Sequence, residues 1–95
     1  LTMIKHIVLF TLKDPANAPK VKALLDSCKD IVPGIREFEV GIKTEGLEAT
    51  ADVVLVSTFE DAAALAAYQP HPHHQGVVAQ IREMASGRQV LDYIC

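Results

Sequence analysis

The chain has no Trp and only 5% aromatic residues, which argues against a platform for stacking nucleic-acid bases. Basic residues are scarce as well: Lys and Arg number 9 against 12 Asp and Glu, a formal net charge of -3. They are scattered, so the basic patch that marks a nucleic-acid partner is missing. The longest mostly apolar stretch, from Ile7 to Leu12, is interrupted by Thr11, and a membrane span needs roughly 20 apolar residues. No basic-then-apolar leader opens the chain. Met3 reads as the natural start, with Leu1 and Thr2 an extension ahead of it. Cysteine is limited to Cys28 and Cys95, which form no metal or redox spacing and read as free thiols in a reducing cytoplasm.

What is present is the composition of an ordinary globular protein, 49% hydrophobic and 22% charged. At this length the chain makes one domain, residues 3–95, with no room for a second core. Met3 to Leu12 is rich in β-formers and apolar on both faces: Ile4, Val8, Phe10 and Leu12 with His6 on one, Met3, Ile7 and Leu9 on the other. Ala51 to Phe59 repeats that pattern, with Val53, Leu55 and Phe59 opposed to Val54 and Val56. Both read as central strands covered on two sides. Arg36 to Thr44 alternates Phe38, Val40 and Ile42 with polar residues, as a strand buried on one face does. Arg88 to Ile94 is the last strand.

Helical spacing appears at Val21, Leu24, Leu25, Cys28 and Ile31 or Val32. Asn17 is the expected cap of that helix, with Asp14-Pro15 a competing start, and Pro33-Gly34 stops it. Glu60 or Asp61 caps a short alanine-rich helix through Tyr68. Gln69-Pro70-His71-Pro72 breaks it, and a further helix runs to about Ala85 with His74, Val77, Val78 and Ile81 on one stripe, closed by Ser86-Gly87. The order β-α-β-β-α-β predicts an α+β, ferredoxin-like fold with an antiparallel four-stranded sheet and helices on one face. The other face, apolar at Ile7, Leu9, Val54 and Val56, predicts a homodimer that buries it.

Histidine carries the chemistry. His74 opens an apolar helix stripe and so points toward the sheet; His6 lies in an apolar strand row and joins it in the layer between helix and sheet if the first strand turns that row toward the helices. Tyr68 ends the short helix beside them. A buried imidazole stays neutral near pH 7 and can act as a general base, and a tyrosine hydroxyl can orient a substrate oxygen. The plainer reading is a pair of core histidines with satisfied hydrogen bonds. His71, His73 and His74 crowd into four positions, yet adjacent residues diverge around a helix and no Asp, Glu or Cys completes a metal set nearby, so no metal and no cofactor are expected. No serine elbow, phosphate loop or activated thiol is recognisable.

The opening Met3-Ile4-Lys5-His6-Ile7-Val8-Leu9-Phe10, the segment Val32-Pro33-Gly34-Ile35 followed by Phe38-Glu39-Val40-Gly41, and Tyr68 followed by His71-Pro72-x-His74 and Val77 together resemble the stress-responsive A/B barrel (Dabb) domains. The resemblance implies a dimeric α+β barrel. Its family includes plant stress-associated proteins, bacterial members of unknown role and a plant polyketide cyclase. In that cyclase a helix histidine acts as base, assisted by a tyrosine and a first-strand histidine, and the matching positions here are His74, Tyr68 and His6. A further histidine of the cyclase falls where this chain has Val53, so the same substrate does not follow. The readings open at this point are a cofactor-independent acid-base enzyme with a pocket for a small hydrophobic or aromatic ligand, a non-catalytic stress-protective dimer, and a haem-binding or cofactor-free monooxygenase.

Overall fold

The computed structural model describes residues 2–95 and runs, in chain order, β1 (Ile4–Leu12), a 3-10 turn (Pro15–Asn17), α1 (Ala18–Asp26), β2 (Ile35–Ile42), β3 (Val53–Phe59), α2 (Ala62–Tyr68), α3 (Pro72–Met84) and β4 (Ala85–Ile94). Leu1, read with Thr2 as an extension, lies outside the described residues. The strands pair antiparallel in the order β2-β3-β1-β4, the ferredoxin-like α+β arrangement that the element order predicts. β1 and β3 are the central pair, as their two-sided apolar pattern requires. Among the described residues no helix is long and apolar enough to cross a membrane.

The period-two row of β1 decides the layers. His6, Val8, Phe10 and Leu12 are buried beneath the helices, with Leu55 and Val53 of β3 opposite Val8 and Phe10. α1 lowers Val21 and Leu25 onto that surface and α3 lowers Val77 and Ile81, which is the helical stripe read from spacing. The outward row is different. Ile7 and Leu9 pair with Val56 and Val54, and the helices leave this apolar face uncovered.

Some boundaries depart from expectation for local reasons. α1 ends at Asp26 rather than near Val32 because Ser27 Oγ donates to the Leu24 carbonyl at 2.6 Å. The next N–H groups then bond three residues back, Cys28 to Leu25 at 2.9 Å and Ile31 to Cys28 at 3.4 Å, as tight turns. Cys28 is still buried and Ile31 and Val32 still pack on the core. Asn17 makes no side-chain cap. Asp14 instead accepts from the Ala16 N–H at 3.0 Å and caps the 3-10 turn ahead of the helix. Ser86-Gly87 does not form a turn, and β4 starts at Ala85 rather than Arg88. Ala85 is already extended directly after α3 (φ -89, ψ 141), because the ladder with β1 continues down to Leu12 opposite Ala85. Tertiary pairing outweighs the local turn preference there.

Gly34 connects α1 to β2 at φ +92, and its carbonyl accepts from the Glu60 N–H at 2.8 Å. A Cβ there would stand 2.9 Å from the Ala64 Cβ at the start of α2. Gly34→Ala should therefore cost about 2 kcal/mol from left-handed strain and overlap, a fall in Tm of roughly 8–16 °C for a domain of this size. Thermal denaturation followed by circular dichroism measures it, and an unchanged Tm would contradict the account.

Candidate functional site

The break between α2 and α3 builds one side of the site. α2 begins with the Asp61 carboxylate accepting from the Ala64 N–H at 2.8 Å and ends at Tyr68. Pro70 and Pro72 prevent a continuous helix, and His71 caps the new one by accepting the His73 N–H on its Nδ1 at 3.1 Å. His74 is then in the first turn of α3. Its Nδ1 lies 2.9 Å from the carbonyl oxygen of Gln69. A carbonyl only accepts, so the proton is on Nδ1 and the lone pair is on Nε2. Burial holds the His74 imidazole below its ordinary pKa; the Gln69 hydrogen bond opposes that, while electrostatic repulsion from the neighbouring His6, Arg88 and His71 adds to it. A neutral ring with a free Nε2 is the form a general base needs.

β1 and β4 build the other side. His6 is only 3% exposed and stands directly across the ladder from Asp92. Its Nδ1 donates to the Asp92 carboxylate in a short hydrogen bond, so its Nε2 also faces the interior layer. The His6 carbonyl accepts from Ser57 Oγ at 2.9 Å on the other neighbour strand. Asp92 was not among the residues singled out from sequence. Its signal is its place in the inward row of β4 with Arg88, Val90 and Ile94, which emerges only when β4 is paired with β1.

Tyr68 is fully buried among rings, with centroid distances of 4.3 Å to His74, 5.1 Å to Phe59 and 6.5 Å to both His6 and Phe38. Among the described residues its hydroxyl has no hydrogen-bond partner. The nearby Cys28 thiol is directed instead at the Leu24 carbonyl, 3.8 Å away. Burial first, and then Cys28, push the phenol well above its ordinary pKa, so it stays protonated. Burial likewise pushes the Cys28 thiol up, which removes it as a nucleophile.

A cavity of about 760 Å³ lies between α3 and the β1–β4 half of the sheet. Its floor is His6, Val8, Phe10, Leu25, Leu55 and Ile81; its exposed rim includes Gln75, Ala79, Arg82, Ser86 and Arg88. The cavity joins His6 to His74. Tyr68 is not on its wall but behind the His74 ring. The remaining histidines have local partners: His71 in its cap, and His73, whose Nε2 is 2.8 Å from Ser27 Oγ. Among the described residues, no three His, Cys, Asp or Glu side chains gather as a metal site.

The model of the Stress Responsive A/B Barrel Domain (Dabb) matches residues 4–95. A protein of Streptomyces coelicolor, itself uncharacterized, is 33% identical over 89 residues, covering 88% of this chain and 92% of its own length. A dimeric ferredoxin-like protein of unknown function from Thermobifida fusca superposes with a TM-score of 0.87 at 24% identity, over 99% of this chain and 92% of that one. The hydroxynitrile lyase of Passiflora edulis superposes with a TM-score of 0.81 at 19% identity, over 98% of this chain and 93% of that one. At these identities the two structures show a shared fold, and a shared fold does not assign a reaction. With the family model spanning nearly its whole length and a relative this similar in sequence, the chain belongs to the stress-responsive A/B barrel domain family.

Proposed function

We propose that this protein is a homodimer whose cavity between α3 and the sheet binds a small hydrophobic or aromatic molecule and carries out cofactor-independent acid-base chemistry on it. The observation that carries the reading is the His74 ring, tied by Nδ1 to the Gln69 carbonyl and presenting a free, neutral Nε2 to an apolar cavity. His74 Nε2 takes a proton from a carbon next to a substrate carbonyl, charge develops on that oxygen, and the imidazolium returns the proton to the product. His6, oriented by Asp92, offers Nε2 as a second hydrogen-bonding group. Tyr68, sealed behind His74, holds that ring in place rather than meeting substrate with its hydroxyl. The buried Cys28 and exposed Cys95 are both free thiols, in keeping with a reducing cytoplasm.

A second reading is favoured by one observation: each histidine ring already has a hydrogen-bond partner. That is what a stress-protective, non-catalytic dimer with structural histidines would have. Deuterium exchange into the methyl group of an aryl methyl ketone separates the two. The wild type should catalyse it, and His74→Ala should lose about 10²–10⁴-fold with the fold intact. Tyr68→Phe should stay within about threefold and, by removing an unpartnered buried hydroxyl, leave Tm unchanged or higher. A fall of 100-fold or so in Tyr68→Phe would return the hydroxyl to the substrate. No exchange above background in the wild type would favour the non-catalytic reading.

Because His74 sits below its ordinary pKa in the folded chain, the base form persists under mildly acidic conditions. Exchange should remain active below about pH 6.5, where an ordinary imidazole protonates. The unfolded chain binds this proton more readily, so stability falls as pH drops through about 6.5 toward the folded value. His74→Gln should flatten that part of a Tm-against-pH profile, and an unchanged slope would remove His74 as its cause.

The dimer reading draws support from the uncovered face, where Ile7, Leu9, Val54 and Val56 are joined by Leu91 and Tyr93 of β4 on the same side. Leu91 is 65% exposed and Tyr93 45%, a patch unfavourable in water. The wild type should sediment as a dimer at micromolar concentration, and Leu91→Lys, at a side chain largely exposed in the single chain, should shift it toward monomer. A wild type that sediments as a folded single chain would sink this part of the proposal.

A further inference from the structure

We propose that the cavity selects ligands bearing a carboxylate, held by Arg82 and Arg88 at the end remote from the histidines; the inference rests on the cavity being a ligand site and names the class of ligand it takes. The chain has three arginines, Arg36, Arg82 and Arg88. Arg36 is spoken for, since its guanidinium lies 2.6 Å from the Glu60 carboxylate. Arg82 and Arg88 form no ion pair among the described residues, and both line the same cavity. Among the described residues no Asp or Glu lines it, although acidic residues outnumber basic ones in the chain as a whole. The cavity is therefore a positive recess in a negatively charged protein.

Each of the two also has a local structural reason, but neither reason brings both to one cavity. Arg82 is in the last turn of α3, where a cation favours the helix dipole. Arg88 is a charge on the exposed edge strand β4, which discourages pairing with a further strand. It stands opposite Phe10, where β4 is exposed from Ser86 onward, at the rim of the cavity. There it turns a guanidinium to the cavity without a carboxylate to meet it. Its charge is also among those felt by His74, so the two groups share one space.

The geometry sets the shape of the ligand. His74 and Arg82 are eight residues apart on α3, about 12 Å at the helical rise. His6 and Phe10, which faces Arg88, are four apart on β1, about 13 Å at the strand rise. Helix and strand thus give the same separation between the basic end and the histidine end, with Val8, Leu55, Val78 and Ile81 between. A carboxylate at the arginines, where a planar fork can meet both oxygens, leaves an alkyl or aryl body along that floor and its far end at His74.

Isothermal titration calorimetry of the intact protein with phenylhexanoate and its isosteric carboxamide tests the inference. The carboxylate should bind at least about tenfold more tightly, the scale of a charged hydrogen bond. Arg88→Gln and Arg82→Gln should each erase most of that preference by weakening carboxylate binding much more than carboxamide binding, and Arg36→Gln should preserve it. Equal binding of the two probes, or a preference that survives Arg88→Gln, overturns the carboxylate assignment while leaving the cavity a binding site. If neither probe binds the folded protein, the assignment falls together with the ligand-site reading.

Discussion

The register between β1 and β4 is the constraint on which the site depends. Ile4 faces Ile94, His6 faces Asp92, Val8 faces Val90 and Phe10 faces Arg88, in unbroken antiparallel pairing up to an irregularity at Thr11 and Leu12. A slip of one residue would reverse every β4 side chain. Asp92 would move to the outward face, leaving the nearly inaccessible His6 ring without its carboxylate, and Arg88 would leave the cavity. Leu91 and Tyr93 would turn inward toward a layer that has no place for them. The ladder therefore orients a base-like group, supplies its partner and separates the polar interior from the apolar exterior in one arrangement.

The helix side works by a related economy. Ending α2 at Tyr68 frees the Gln69 carbonyl from intrahelical bonding, and helix ends leave such carbonyls needing partners. His74 provides one, and in doing so acquires a defined tautomer. The same break that interrupts the helix thus fixes which nitrogen faces the cavity. Tyr68, packed at 4.3 Å behind the ring, resists rotation of the imidazole away from that bond. The unpartnered hydroxyl is the cost of using a tyrosine in that position, and an aromatic ring is what the packing uses.

Most of the fold could be read from the chain because it rests on periodicity. Two strands apolar on both sides had to be central, and the stripes at Val21–Leu25 and Val77–Ile81 had to face them. His6 and His74 could be placed in one layer because each shares a period with buried neighbours. What escaped was set by contacts distant in sequence. Asp92 is 86 residues from His6, and nothing around it marks it as more than a polar residue on a final strand. The end of α1 turned on a single side-chain bond from Ser27, and Ser86-Gly87 resembled a turn until pairing with Thr11 extended the strand through it. Tyr68 was placed near the histidines correctly, but proximity along a helix does not distinguish a ring on the cavity wall from one behind it.

Arg88 links the two ends of the cavity. Its charge is one of those that hold His74 below its ordinary pKa, and among the described residues no carboxylate pairs with it. A group that balances Arg88 weakens its repulsion of a proton on His74, so the imidazole becomes a stronger base when the far end of the cavity is filled by an anion. By reciprocity, a proton on His74 strengthens the hold on that anion. Proton affinity and ligand charge would thus be coupled through the cavity, because charges interact more strongly when water is displaced.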